Sequence, residues 1–206
     1  MPVVVIANPK GGAGKSTLAT NVAGYYASKG HTVMLGDADI QQSSRLWLGL
    51  RPPGARVISA WDIGPDQIAK PPAGTSHVVI DTPAGLHGGH LKTLLKRADK
   101  VLVPIQPSVF DIFATRAFLD ELAQHRHAQG VEIGMVGMRV AARTIAAEQL
   151  AAFVQSAGFT MLGHVRDTQT YVHLAAQGLT LFDIAPARVA RDLAMWEPIC
   201  DWLDKP

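Results

Sequence analysis

Ten residues near the start of the chain, NPKGGAGKST at positions 8–17, limit what the rest can be. They follow a continuous apolar run, Val3–Ala7, and lead into a helix-length segment, Ser16–Lys29, closed by Gly30. A glycine-rich turn between a buried strand and a helix points backbone N–H groups at an anion beside the positive helix end. Gly11, Gly12 and Gly14 let the backbone approach such a ligand, and Ala13 completes the cradle. Lys15 has the reach to neutralise β- and γ-phosphates, Ser16 offers a hydroxyl to Mg²⁺, and Thr17 offers one to an α-phosphate. The spacing departs from the usual G-x-x-x-x-G-K-[ST] pattern. The position of its first glycine holds Pro9, and a second lysine, Lys10, follows.

Beyond the loop, apolar runs alternate with helix-length segments. HTVMLGDAD, HVVIDTPAG, KVLVPIQPS, EIGMVGMRV and FTMLGHV read as strands. Helices are expected near Gly89–Arg97, over Phe110–Gln129 and Ala146–Ser156, and over Thr170–Gln177 and Pro186–Leu203. Strand-then-helix repetition with Val/Ile/Leu-rich strands implies an α/β fold, a doubly wound, mostly parallel sheet with helices on both faces. Gly49–Ser76, with its RPPGAR and KPPAGTS stretches, reads as a long proline-punctuated connection carrying a short strand at Arg56–Ala60. The 206 residues are 48% apolar and 17% charged, which suits one domain, 1–206, with a substantial core.

Two further stretches place carboxylates where a phosphate loop needs them. GDADIQQSS, residues 36–44, ends a strand with alternating Asp37 and Asp39. Acids there can order metal-bound water or an attacking water. VVIDTPAG, residues 78–85, ends an apolar strand on Asp81, the arrangement that reaches Mg²⁺ through water. His87 and His90 supply only two of the ligands that a zinc site requires, and they read as a solvated loop.

The loop resembles the K-G-G-x-G-K-[ST] deviant Walker motif of the ParA/MinD family of P-loop ATPases, and the resemblance extends over nearly the whole chain. It implies that ATP and Mg²⁺ are bound, and that Lys10 acts in trans on the nucleotide of a partner subunit, so that a homodimer forms with ATP. It also implies that Asp39 positions the hydrolytic water and that Asp37 supports the Mg²⁺ shell. The family pattern D-x-D-P-Q has Ile40 in place of proline here, with Gln41 kept. The stretch VLVPIQPSVFDIFAT, residues 101–115, resembles the family's V-x-P-x-x-P-S segment, where Pro107 and Phe110 are candidates for a dimer rim or for core packing. Met138 stands where the family often has the asparagine that reads adenine.

Several classes are excluded. One cysteine, Cys200, permits neither an intramolecular disulfide nor an all-cysteine metal site, and two subunits would supply only two of the thiolates that a bridging iron–sulfur cluster needs. Tyr25, Tyr26 and Tyr171 form no terminal tyrosine cluster of the bacterial tyrosine-kinase type. No signal peptide and no spanning segment are expected. The last helix carries a narrow apolar stripe, Val189, Leu193, Trp196, Cys200 and Leu203, flanked by Asp192, Glu197, Asp201 and Asp204, so it docks on a core rather than on anionic lipid. Within the resemblance a ParA-type positioning ATPase remains, and the resemblance implies a cytoplasmic, nucleoid-associated protein that binds DNA without sequence preference and is stimulated by a cargo adaptor of the ParB type. With a net charge of only +2, any DNA face is local: Arg188 with Arg191, or Lys92 with Lys96, beside scattered Arg97, Arg139, Arg143 and Arg166. No helix-turn-helix precedes Val3, which argues against operator-specific binding. The alternative is an ATP-dependent ligase or amidase of the dethiobiotin-synthetase type, which Lys10 and the Asp37/Asp39 pair oppose.

Overall fold

The computed structural model describes residues 1–63 and 70–205. Seven strands form one sheet: β1 (Val3–Ile6), β2 (Val33–Asp37), β3 (Ile58–Trp61), β4 (His77–Asp81), β5 (Lys100–Ile105), β6 (Glu132–Met138) and β7 (Thr160–Val165). Their order is β3-β2-β4-β1-β5-β6-β7, and every neighbouring pair is parallel. Central strands buried on both faces need continuous apolar side chains; Val4, Val5, Ile6, Val78, Val79 and Ile80 are all at or near zero exposure.

The helices are α1 (Lys15–Ser28), α2 (Ser43–Leu48), α3 (Gly88–Leu95), α4 (Val109–Gln124), α5 (Ile145–Ser156), α6 (Gln169–Ala176) and α7 (Ala190–Leu203). They divide between two apolar layers. Leu18, Val22, Trp47, Leu174, Trp196 and Ile199 put α1, α2, α6 and α7 on one face. Leu91, Leu94, Phe118, Leu122, Leu150 and Val154 put α3, α4 and α5 on the other. The doubly wound expectation therefore holds. α7 lies against β7 so closely that a Cβ at Gly163 would sit 3.0 Å from the Met195 carbonyl oxygen.

Some boundaries differ from the sequence reading. The helix expected over Phe110–Gln129 stops at Gln124, and a 3-10 turn, Arg126–Ala128, follows. The helix expected from Pro186 begins at Ala190, after a separate 3-10 turn at Pro186–Arg188. The connection read as Gly49–Ser76 is preceded by α2, absent from that reading; its strand is displaced to Ile58–Trp61, and positions 64–69 lie outside the described residues. Among the described residues, no helix is long and apolar enough to cross a membrane.

Candidate nucleotide site

Sheet order reverses at β1, whose neighbours β4 and β5 lie on either side of it. In open parallel sheets ligands bind beyond the carboxyl ends of the strands at such a point, and the loop of residues 8–17 leaves β1 there. Gly12 and Gly14 have φ of 75° and 96°, backbone that favours glycine. A Cβ on Gly11 or Gly12 would meet no protein atom within 4 Å, so close packing within the protein does not account for either glycine.

Two side chains and one backbone N–H brace the loop. Asn8, fully buried, donates from Nδ2 to the Pro104 carbonyl (2.8 Å) and to Thr115 Oγ1 (3.0 Å), while its Oδ1 accepts from the Lys10 N–H (2.8 Å). Gln106 Nε2 donates to the Gly12 carbonyl at 2.6 Å. Gly85 N–H, just beyond β4, donates to the Pro9 carbonyl at 2.7 Å. The two lysines diverge. Lys15 folds over the loop and donates to the Lys10 carbonyl at 2.9 Å. Lys10 turns outward and forms an ion pair with Asp111 in the first turn of α4.

The acids are held with equal care. Asp81, 1% exposed, accepts from Ser44 Oγ at 2.7 Å through Oδ2, while its buried Oδ1 has no hydrogen-bond partner. Burial pushes its carboxyl up to about 6 and pushes the Lys15 ammonium down, with Asp81 and Asp39 opposing that second shift. A half-satisfied buried carboxylate beside the loop is where a divalent cation relieves the cost of burial. The Ser16 hydroxyl opposes that upward shift of Asp81, and a hydroxyl beside a carboxylate suits Mg²⁺. No cluster of three or more His, Cys, Asp or Glu able to hold a metal exists among the described residues, and phosphate oxygens and water would complete the shell.

Asp37, expected in that shell, spends its carboxylate on backbone: Oδ1 accepts from Asp39 N–H (3.0 Å), and Oδ2 from Ser44 N–H (2.8 Å) and Arg45 N–H (3.1 Å). It anchors the start of α2, whose Ser44 reaches Asp81. Asp39 is half-exposed and shapes a turn by accepting from the Gln41 N–H at 3.0 Å. Ile40, in the family's proline position, is 98% exposed.

A cavity of about 450 Å³ opens beside Gly14 and Thr17, lined also by Met138, Arg139, Asp167 and Tyr171. The Met138 side chain reaches over the loop; its Cε would lie 2.8 Å from a Cβ on Gly14. Sequence reasoning missed Asp167, Thr168 and Gln169, which line the same cavity, since nothing in their spacing marks them.

The basic candidates separate. Lys92 and Lys96 are exposed on α3, whereas Arg188 and Arg191 are exposed at the start of α7, on the opposite layer. Arg188 lies on the 3-10 turn and not on the helix itself. Arg166 is not a free cation: Nε and Nη2 grip Asp192 at 2.6 and 2.8 Å. Asp192, read as a flanking acid, is accordingly buried.

The CobQ/CobB/MinD/ParA nucleotide binding domain family matches residues 4–182. The chain belongs to that family. Among its relatives are a maintenance of carboxysome distribution protein A from Gloeobacter kilaueensis, 33% identical over 131 residues, and a Protein ParA from Rhizobium radiobacter, 30% identical over 132 residues. Those alignments span 60% and 62% of this chain and about three fifths of each relative, 60% and 59%. An ATP complex of Cyanothece McdA superposes with a TM-score of 0.70 at 16% identity, covering 97% of this chain and 96% of that one. The family's fold is thus the one reached above from strand and helix patterning.

Proposed function

We propose that the chain is a positioning ATPase of the ParA type. It binds ATP with Mg²⁺, pairs face to face with a second copy, holds DNA without sequence preference, and hydrolyses ATP when a cargo adaptor of the ParB type engages it. It thereby moves a plasmid, a chromosome or another body over the nucleoid in the cytoplasm. The names of the Gloeobacter and Rhizobium relatives, carboxysome distribution and ParA, support a cargo-positioning role over ligase chemistry.

The observation that carries the proposal is the division of labour between the lysines. Lys15 is committed to the loop of its own subunit. Lys10 is paired with Asp111 on α4 and not with the loop, and 36% of its side chain is exposed. Beside it α4 exposes Phe110 (78%) and Phe113 (69%), so Phe110 belongs to the surface and not to the core. A cation and an apolar ridge at the mouth of a phosphate loop suit a partner subunit, which would receive Lys10 on its own nucleotide.

Each residue then has a part. Gly11–Gly14 cradle phosphate with backbone N–H groups, Thr17 meets the α-phosphate, and the Met138 cavity takes the base. Ser16 and Asp81 would hold Mg²⁺, which would supply charge neutralisation to the bound phosphates. Asp39 orients the attacking water. Dimerisation brings Lys10 to the developing charge, and phosphate loss releases it.

Sedimentation with ATP tests this. Wild type is expected to dimerise, and Lys10→Ala to bind ATP as a monomer. Because Lys10→Ala leaves Asp111 buried without its cation, Lys10→Ala with Asp111→Asn is measured beside it. Persistence of the ATP dimer in both variants would overturn the trans role.

A further inference from the structure

We propose that Asp111 is a latch that parks Lys10 in its own subunit and sets how readily the lysine can be given to a partner. The inference rests on the dimer reading above. Asp111 lies in the first turn of α4, its side chain 5% exposed, and it pairs with Lys10 across 101 residues of sequence. A helix-start acid ordinarily sits in solvent and serves its own N-terminus. This one is turned inward, onto the phosphate loop.

The surroundings hold the pair in register. Thr115, one turn further along α4 and fully buried, receives Asn8 Nδ2, and Asn8 Oδ1 fixes the Lys10 N–H. The same face of α4 therefore holds both the backbone and the side chain of Lys10. Ser108 Oγ caps the helix by accepting from the Asp111 N–H, which leaves the carboxylate itself for Lys10.

A lysine in this pair cannot simultaneously reach a partner's phosphates, so dimerisation must break it. Breaking a buried ion pair by removing one member is costly. Here the cost is moderated, since Asp111 remains in the positive first turn of α4 after Lys10 leaves. Such a contact is strong enough to hold the resting subunit and weak enough for triphosphate to win. In a two-fold dimer one latch opens in each subunit, so the penalty enters twice. Asp111 is thus a positioning residue, acting only through Lys10.

Two measurements test it. In nucleotide-free protein, denaturant unfolding of wild type, Lys10→Met, Asp111→Asn and the double variant forms a thermodynamic cycle. Each single change should lower the midpoint, and the double variant should lose less than the sum; strict additivity would overturn the pair. In the second measurement, sedimentation with ATP, Asp111→Asn should dimerise at protein concentrations about tenfold or more below wild type, with ATP affinity of the monomer changed less than about twofold, while Asp111→Glu restores the wild-type threshold. A purely structural acid would not strengthen dimerisation, so an Asp111→Asn threshold equal to or above wild type overturns the latch. A wild type that stays monomeric with ATP sinks the dimer reading and the latch with it, whereas a wild type that dimerises with an unchanged Asp111→Asn threshold sinks the latch alone.

Discussion

Lys15 is the buried cation of the loop, and its ammonium is already weakened by desolvation. Triphosphate would restore the charge balance, so Lys15→Ala removes both the ligand's main counter-ion and the bond to the Lys10 carbonyl. A lost charge-assisted hydrogen bond costs about 2 kcal/mol or more, at least roughly thirtyfold in affinity. Titration with a fluorescent ATP analogue reads it directly, and unchanged affinity would remove the loop assignment. Asp39 calls for a subtler pair of variants. Its carboxylate also closes the turn onto the Gln41 N–H, so alanine disturbs both chemistry and shape, whereas Asp39→Asn keeps an acceptor for that turn. Both are expected to bind ATP, accumulate the ATP dimer and slow phosphate release by about 100-fold or more. If asparagine turned over normally while alanine did not, Asp39 would serve the turn and leave the water alone.

At the level of elements, the pair between β7 and α7 is the clearest structural bet. Arg166 grips Asp192 with two nitrogens, and Asp192 is 2% exposed. Arg166→Leu strands that carboxylate, and the loss should be about 3 kcal/mol in denaturant unfolding; Arg166→Leu with Asp192→Leu should recover much of it. An undiminished loss in the double variant would place the cost in packing instead of charge. The same pair shows where the sequence stops being legible. β1, the loop, α1 and β4 announced themselves because valine runs, glycines and terminal acids each follow a local rule. α2 did not, because six residues give less than two turns of periodicity, and what starts it is Asp37 capping Ser44 and Arg45 from across the turn. Asp111 went unremarked for the same reason, since its partner Lys10 lies 101 residues away. Arg166 and Asp192 each looked like solvent charges when taken singly. Local pattern reveals backbone, while charge pairing across the fold becomes visible only once the sheet has placed the ends of its strands.

On the scale of the whole molecule, the place of the proposed DNA face depends on which end of the sheet two subunits would share. The phosphate loop leaves the carboxyl end of β1, and a face-to-face dimer would join there. Arg166 follows the carboxyl end of β7 and lines the cavity beside Gly14, and its grip on Asp192 brings the first turn of α7 to that same end. Arg188 and Arg191 therefore sit toward the end of the sheet that two copies would share. Lys96 closes α3 just before β5 begins at Lys100, at the opposite end of the sheet and on its other face. On the proposed dimer the arginines would lie toward the shared end of each subunit and the lysines toward the far end. Arg188→Glu with Arg191→Glu is expected to weaken DNA binding by the ATP dimer without altering ATP binding. Two residues in each of two subunits would lower the slope of log K against log salt by up to about 3.6, at about 0.9 per phosphate contact. Lys92→Glu with Lys96→Glu should leave both affinity and slope close to wild type. Titrations with duplex DNA at three salt concentrations separate the cases, and a slope that falls only with the lysine variant would move the DNA face to α3.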